Sequence, residues 1–275
     1  MAVTAAAAVL VVAFVVVRAV ILDDSATQVD ADAALDNFRA STTVAPEGSA
    51  APPTTEAGDG TPSAPTTEPA PAVSLPSPGV YAYATYGTES VDALGGASHS
   101  YPAETYLTVT EQGCGVRLRW DLLEERRDEW DLCADSRGVW LQPDTVDWHA
   151  FFGQGELVTT DCAEPALIVP RPAPGATPLP PTPMTCTRRD GAWDHQWQVL
   201  GTESREVAGT SVVTVHARLS IEIDTETTLI DWWMTSEGLP VAMTSTKQSS
   251  SETVAGTIVY RETYTAELVS LEPMR

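Results

Sequence analysis

Apolar and polar residues alternate with a period of two along much of the chain after residue 79. In the segment 211–224, apolar side chains occupy every second position from Val213 to Ile223, and polar side chains occupy most positions between them. Alternate side chains of a strand point to opposite faces, so this pattern predicts a strand with one buried face. A turn at residues 225–226 would lead into a second strand over residues 227–235.

The register of this predicted hairpin follows from matching apolar residues across the turn. The match places Ile221 opposite Ile230 and Leu219 opposite Trp232. A buried sheet face favours apolar side chains opposite one another, which is why we expect this alignment.

A second hairpin is predicted from residues 115–122 and 126–133, where charges as well as apolar residues can be paired. One face pairs apolar residues, Val116 with Leu132 and Leu118 with Trp130. The other face pairs opposite charges, Arg117 with Asp131, Arg119 with Glu129, and Asp121 with Arg127. A charged helix surface is the alternative for this string, but the flanking alternation favours strands.

Counting such segments predicts an all-β domain with about 11 or 12 strands in an antiparallel sheet, curved into a half-barrel or packed as a sandwich. The sequence Gly-Thr-Glu-Ser occurs at residues 87–90 and again at 201–204. A small-residue turn and an alternating strand follow each copy. This repetition favours two related β-meander halves.

The amino-terminal part of the chain has a different composition. Residues 2–22 form an apolar run of about 31 Å as a helix, which matches a bilayer core. We therefore expect residues 1–22 to be a single transmembrane anchor, with an uncleaved or cleaved signal peptide as the alternative. Residues 23–78 are rich in Ala, Pro and Thr and are acidic, which predicts a disordered linker. Residues 79–275 would then form an extracytoplasmic β domain.

Charge and cysteine content narrow the function classes. The net charge is -23, which argues against a nucleic-acid partner because phosphate contacts need basic side chains. The four cysteines suit an oxidising compartment, and we favour the sequential pairs Cys114–Cys133 and Cys162–Cys186. Other pairings are possible, but the spacings lack the close cysteine pair of a zinc site, so we expect no metal.

Motifs for catalysis are missing from the sequence. It has no Gly-x-Ser-x-Gly elbow, no metal-binding histidine pair and no phosphate-binding glycine loop, so we expect neither an enzyme nor a cofactor. Tryptophan is dense after residue 79, which suggests either core packing or a concave apolar or sugar-stacking site. The candidate ligand-binding residues are Trp130, Trp140, Trp148, Phe151, Phe152, Trp232 and Trp233.

Four segments of the chain carry a resemblance to a known group of proteins: residues 83–105, 113–133, 149–154 and 260–275. They resemble a family of uncharacterised actinobacterial envelope proteins with an amino-terminal anchor, a Pro-rich spacer and one β domain. The plan is more remotely similar to periplasmic lipid-carrier folds of the LolA and LprG kind. That similarity implies a curved sheet that holds a lipid, although the lipobox cysteine of the lipoprotein carriers is missing.

These patterns lead to two functional hypotheses. The first is a domain on the outer side of the cell membrane that binds a hydrophobic envelope ligand, a lipid or lipoglycan, in its curved sheet. It predicts an apolar cavity of roughly 300–1,000 Å³. The second is a protein-interaction or sensor domain of the cell envelope without a small ligand. It predicts a filled core and an exposed aromatic patch. A hydrolase would require convergent carboxylates, or a histidine with an aspartate, within one cleft.

Overall fold

The computed structural model describes residues 27–43, 73–92, 96–151, 154–175, 177–189, 191–253 and 256–275. Within these residues the chain forms one helix and 14 strands. Their bounds are α1 (Ala31–Thr43), β1 (Gly79–Val91), β2 (Ala97–Ser100), β3 (Glu104–Gln112), β4 (Gly115–Leu123), β5 (Arg126–Asp135), β6 (Gly138–Phe151), β7 (Gln154–Cys162), β8 (Ala166–Pro170), β9 (Thr182–Arg188), β10 (Gly191–Val207), β11 (Thr210–Ile223), β12 (Glu226–Met234), β13 (Pro240–Thr253) and β14 (Gly256–Leu268).

The strands form an antiparallel sheet that closes on itself. Most neighbours in the sheet are neighbours in the chain, and the ring is completed by β1 and β14, which pair from Tyr83 with Leu268 to Val91 with Tyr260. Strand β2 lies beside the far end of β1, and β8 lies beside the first part of β6. The other twelve strands make a closed barrel. The predicted all-β antiparallel fold is confirmed, but the predicted half-barrel is wrong because closure leaves β1 and β14 paired.

The two predicted hairpins differ in how well their registers hold. All five predicted pairs between β4 and β5 are present, including the three pairs of opposite charge. Between β11 and β12 the structure places Leu219 opposite Ile230 and Ala217 opposite Trp232. This register is two residues away from the predicted one. A shift of two keeps every side chain on the same face, so alternation alone does not detect it.

The helix α1 lies against the outside of the barrel, within the segment that the sequence analysis assigned to the linker. Asp30 begins the helix, because its Oδ1 accepts a hydrogen bond from the Ala33 amide at 2.8 Å. Ala34 is fully buried and packs in one apolar cluster with Val80 and Tyr106. Residues 27–43 therefore belong to the folded unit.

Both predicted disulfides are present. Cys114 lies in the two-residue turn between β3 and β4 and is bonded to Cys133 of β5, with 5.4 Å between the Cα atoms. Cys162 of β7 is bonded to Cys186 of β9, with 3.9 Å between the Cα atoms. The second bond joins two directly paired residues.

The predicted membrane segment at residues 1–22 lies outside the described residues, as does most of the Pro-rich part of the linker. Among the residues that the structure does describe, no helix has both the length and the apolar character needed to cross a membrane. The two Gly-Thr-Glu-Ser segments lie in β1 and β10. A relationship between two halves of the domain stays a prediction.

Candidate functional site

The inside of the barrel is divided between an apolar half and a polar half. Alternation along each strand places one set of side chains inside, and at one end these are aliphatic or aromatic residues such as Leu107, Trp120 and Met243. Toward the other end the inward positions carry charged residues such as Arg126 and Glu262. A cavity of about 130 Å³ lies where the two halves meet.

Three tryptophans form one wall of this cavity: Trp130 of β5, Trp197 of β10 and Trp232 of β12. The ring of Trp232 lies 5.3 Å from that of Trp130 and 5.0 Å from that of Trp197, measured between ring centroids. Because Trp197 and Trp232 are almost fully buried, their orientation is set by the core. Leu219 and Ile230 extend the same apolar wall.

The charged wall of the cavity carries two aspartates and an arginine, and it adjoins the tryptophans, because Arg126 and Asp128 lie on the same strand as Trp130. Asp128 of β5 and Asp147 of β6 are directly opposite in the register of these strands, and both line the cavity. Burial raises the pKa of Asp128 to about 7, although the charge of Arg126 opposes this shift. Burial also acts to raise the pKa of Asp147, but the positive charges of Arg126 and Lys247 outweigh it and lower that pKa. At pH values below about 7 the pair therefore holds one proton, on Asp128, and at pH 7 Asp128 is partly protonated.

Ion pairs with residues of more distant strands support this charged wall. Arg126 donates a hydrogen bond to Glu262 at 2.6 Å, and both side chains are almost fully buried. On the other side of the cavity, Glu226 lies 3.4 Å from Arg188 and 3.9 Å from Lys247. Partners of opposite charge are what allow such groups to remain inside the barrel.

Three polar atoms beside the cavity are buried and have no hydrogen-bond partner within the described residues. They are Asp147 Oδ1, Arg126 Nε and His195 Nε2. Burial and the nearby charge of Arg188 lower the pKa of His195 to about 4, so this histidine is neutral at physiological pH. Buried polar atoms normally have hydrogen-bond partners. A carboxylate oxygen, a guanidinium nitrogen and an imidazole nitrogen beside one cavity therefore indicate a binding place for a ligand or a water molecule.

A bulge in β6 forms the mouth of the cavity. The register of β5 and β6 jumps so that Trp130 pairs with Thr145 while Leu132 pairs with Leu141, which leaves residues 142–144 without partners in β5. Pro143 lies in this bulge, where its missing amide hydrogen costs no ladder bond. At the same point β6 exchanges its partner β7 for β8. Gln142, Pro143 and the exposed Glu164 line the cavity there.

A second polar cluster lies at the rim of the barrel, next to the charged wall. Glu89 of β1 is fully buried and contacts two histidines, His99 of β2 and His149 of β6. The distance from His149 Nε2 to Glu89 Oε2 is 3.0 Å. Tyr260 donates a hydrogen bond to Glu89 at 2.6 Å. Burial alone would raise the pKa of Glu89, but the hydrogen bonds from His149 and His99 hold that pKa well below its usual range.

The residues predicted from the sequence are only partly brought together. Trp130 and Trp232 line the cavity. Trp140 faces outward, where its ring stacks under Arg137 at 4.3 Å and donates a hydrogen bond to Asp135. Trp148 also faces outward, because its register partners are Arg127 and the exposed Leu157.

Trp233 also lies outside the barrel, on the face opposite to Trp232. Arg205 lies 3.8 Å above its ring, and His216 stacks on it at 4.4 Å. The second aromatic layer expected from the Trp232-Trp233 pair is therefore covered by the protein itself. The backbone of Phe151 ends β6, and Phe152 lies outside the described residues.

Most residues of the cavity were missed at the level of sequence, among them Arg126, Asp128, Asp147 and Trp197. A signal did exist for two of them. In the predicted register of residues 115–122 with 126–133, Asp128 and Arg126 share a face with Leu132 and Trp130. Charges on an otherwise apolar face indicate a buried polar site. Trp197 carried a weaker signal, as one of many tryptophans.

One grouping of potential metal ligands occurs among the described residues, Cys162, Cys186 and His195. The two sulfur atoms are bonded to each other in a disulfide. No thiolate is left to bind a metal ion there.

Comparison with known proteins gives no further guide to this site. No protein-family model matches the chain, and neither a curated protein nor a solved structure shows significant similarity to it. The function has to be inferred from the geometry of the cavity.

Proposed function

We propose that the barrel binds an uncharged, hydroxylated molecule of about the size of one sugar ring in its internal cavity. The observation that carries this proposal is that three tryptophans and three buried polar atoms without partners among the described residues line one cavity. The apolar face of a sugar ring stacks on indole, and its hydroxyl groups both donate and accept hydrogen bonds. Asp147 Oδ1 would accept from such a hydroxyl, and Arg126 Nε would donate to one.

The size of the cavity limits the ligand. A volume of about 130 Å³ is close to the ~150 Å³ that accommodates a benzene ring in an engineered protein cavity, and well below the roughly 300–1,000 Å³ of drug-sized pockets. An acyl chain does not fit this volume together with a head group. For a lipoglycan we propose that the cavity holds one sugar unit at a time, while the lipid portion stays outside the mouth near Pro143.

The charges around the cavity favour a ligand without net charge. Arg126, Arg188 and Lys247 provide three positive charges. Asp147, Glu226 and the partly protonated Asp128 face them, and Glu164 borders the mouth. A ligand with a net charge would disturb these pairs and would lose its own hydration on entry.

We propose an extracytoplasmic position for the barrel, tethered to the cell membrane by residues 1–22. Two observations support this placement. The apolar run at residues 2–22 is long enough to span a bilayer, and both disulfides suit an oxidising compartment. In that position the ligand would come from the cell envelope.

A second candidate function is that of a protein-interaction domain without a small ligand. The observation in its favour is an outward-facing apolar pair, Trp148 of β6 and Leu157 of β7, which are directly opposite in the sheet. Leu157 is 60% exposed. Exposed apolar pairs of this kind are frequent at protein interfaces.

The proposal is tested by titrating the full-length chain in detergent micelles with glucose, galactose, mannose, arabinose, N-acetylglucosamine and myo-inositol. Binding is measured by calorimetry and by tryptophan fluorescence, because the stacking wall consists of tryptophans. We expect at least one of these compounds to bind. The variant Asp147→Asn should then weaken binding about tenfold or more, since a hydrogen bond to a charged group contributes about 1.5–3 kcal/mol.

The matched control is Asp144→Asn, which removes an exposed carboxylate three residues away in the same strand. Its affinity should equal that of the unmodified protein. If none of the six compounds produces heat or a fluorescence change, the sugar proposal is wrong and the interaction domain becomes the better explanation.

A further inference from the structure

The two aspartates of the cavity lie on adjacent strands, so that both carboxyl groups can act on one glycosidic bond. Asp128 and Asp147 are directly opposite on adjacent antiparallel strands, and both side chains point into the same cavity. Residues in such positions have Cα and Cβ atoms about 4.5–5.5 Å apart. The carboxyl groups of retaining glycosidases are about 5–5.5 Å apart and those of inverting enzymes about 6.5–9.5 Å apart. Because the carboxyl carbon of aspartate is one bond beyond Cβ, directly opposite aspartates favour the shorter separation.

The surroundings of the two carboxyl groups differ. Asp128 is almost fully buried, its nearest cation is Arg126 at 3.9 Å, and Glu262 lies close enough to oppose its ionisation. Asp147 keeps one buried oxygen without a partner and feels the charges of Arg126, Lys247, His149 and Arg188. Burial raises the pKa of Asp128 to about 7 while the surrounding cations lower that of Asp147. Such a split separates an acid from a nucleophile.

We infer that Asp128 and Asp147 are a catalytic pair that hydrolyses the glycosidic bond of the sugar unit held in the cavity, with Asp147 as the nucleophile and Asp128 as the acid and base. This inference rests on the proposed sugar binding. It converts the barrel from a binding protein into a retaining exo-glycosidase that acts on a terminal sugar unit. The aglycone stays at the mouth, beside Gln142 and Pro143.

The first half of the reaction forms a covalent intermediate. Asp147 Oδ1 attacks the anomeric carbon while the bond from that carbon to the leaving oxygen breaks. Asp128 transfers its proton to the leaving oxygen. The products are a glycosyl ester on Asp147, the free alcohol and an ionised Asp128.

The second half restores the protein. Asp128 takes a proton from a water molecule as the water oxygen attacks the anomeric carbon, and the ester bond to Asp147 breaks. The sugar leaves with its original anomeric configuration, and Asp128 is protonated again. The tryptophan wall positions the ring, and no oxidant or reductant is consumed.

The test uses the full-length chain in detergent and the phenyl and 2,4-dinitrophenyl glycosides, in both anomers, of every sugar that binds in the titrations above. We expect hydrolysis of one anomer with retention, followed by nuclear magnetic resonance. Asp147→Asn should reduce kcat/KM by at least a thousandfold. Asp147→Gly with added azide should release a glycosyl azide of inverted configuration.

The leaving group separates the role of Asp128 from that of Asp147. Asp128→Asn should lose most of its kcat/KM on the phenyl glycoside but keep much of its kcat/KM on the 2,4-dinitrophenyl glycoside, whose leaving group needs no proton in the first half of the reaction. The alkaline limb of the pH profile should lie near pH 7 in the unmodified protein and be absent in this variant. Asp144→Asn should hydrolyse both glycosides at the unmodified rate.

Two results would overturn the inference. The first is that a sugar binds but none of its aryl glycosides is hydrolysed. The protein would then only bind sugars, and its buried carboxyl pair would share a proton for structural reasons. Hydrolysis that continues in Asp147→Asn would come from another group or a contaminant. If no sugar binds at all, the proposed function fails first and the hydrolase inference falls with it.

Discussion

At the scale of single residues, the most informative feature is the run from Arg126 to Trp130. Its alternation places Arg127 and Glu129 on the outer face and Arg126, Asp128 and Trp130 inside the barrel. The outer pairs were predicted from the sequence because opposite charges matched across the hairpin. The inner charges were not, because Glu262 lies far away in the chain on β14, and Asp147 lies on β6 beyond the bulge that shifts the β5–β6 register.

Arg126 should be a large contributor to stability. Replacing it in Arg126→Met is expected to lower the free energy of unfolding by about 3–5 kcal/mol, because Glu262 would keep a buried charge without its cation. Urea unfolding followed by tryptophan fluorescence measures this change.

The neighbouring residue provides the control for this prediction. Arg127 pairs with Glu129 on the outer face and is partly exposed, so Arg127→Met should change the free energy of unfolding by less than about 1 kcal/mol. Similar small losses in both variants would mean that the buried pair with Glu262 is not formed.

At the scale of elements, local sequence patterns correctly predicted the all-β character and the register of one of the two hairpins. Three pairs of opposite charge defined the β4–β5 register, and the structure confirms it. In the β11–β12 hairpin the turn lies at Asp224 and Thr225, one residue earlier than predicted, which shifts the register by two. Apolar residues matched in either alignment, so only the turn could decide.

Strands β7 and β9 share the shortest paired segment in the barrel. These strands pair through two positions only, Asp161 with Thr187 and Cys162 with Cys186, whereas β4 and β5 pair along most of their length. Across the same boundary, Arg188 donates a hydrogen bond to Thr160, the Thr187 hydroxyl donates one to the Asp161 carbonyl, and the Ala163 amide donates one to the Thr185 carbonyl. The disulfide therefore supports a wall that has few backbone hydrogen bonds.

Removing this disulfide should loosen the wall locally. The double variant Cys162→Ala with Cys186→Ala is expected to lose about 3 kcal/mol of stability in the chain-entropy model. Amide hydrogen exchange in residues 154–162 and 182–188 should also become faster, because little else joins these strands. Exchange measured by mass spectrometry detects both changes.

The other disulfide offers a matched comparison, since it spans 19 residues against 24. The variant Cys114→Ala with Cys133→Ala should lose similar stability but leave exchange in β4 and β5 unchanged. If the amide exchange rates of residues 154–162 and 182–188 were the same in both double variants, the pairing of β7 with β9 would not depend on its disulfide.

At the scale of the whole molecule, the decisive event is the pairing of the first strand with the last. Closure satisfies the backbone groups of β1 and β14, which would otherwise form exposed sheet edges. It also encloses Glu89, Arg126, Asp147 and Lys247, which come from four different strands, in one interior. The buried charges therefore depend on the complete ring.

This buried charge should make stability depend on pH in a defined direction. The folded pKa of Asp128 is raised to about 7 from an ordinary value of 3.8, chiefly by burial. A carboxyl group with a raised pKa contributes its stabilisation fully below its unfolded pKa and loses it as the pH rises through the folded pKa. Asp128→Asn has no such loss, so its stability relative to the unmodified protein should increase between about pH 4 and pH 8.

Urea unfolding at a series of pH values measures this difference. Asp144→Asn, which removes an exposed carboxylate, should track the unmodified protein over the same range. A difference between Asp128→Asn and the unmodified protein that stays constant with pH would show that Asp128 ionises normally in the folded state.

The sequence by itself determined what depends on neighbours along the chain: the strands, their inner and outer faces, the register of the charged hairpin and a correct choice of cysteine pairs. Period-two alternation and charge matching act over a few residues, which is why they can be read directly. Only the tertiary structure decided that the sheet closes, that Trp197 joins Trp130 and Trp232, and that Asp128 faces Asp147. Those contacts depend on barrel closure and on a bulge in β6. They could not be predicted because the alternation of apolar and polar residues is the same in an open sheet and in a closed barrel.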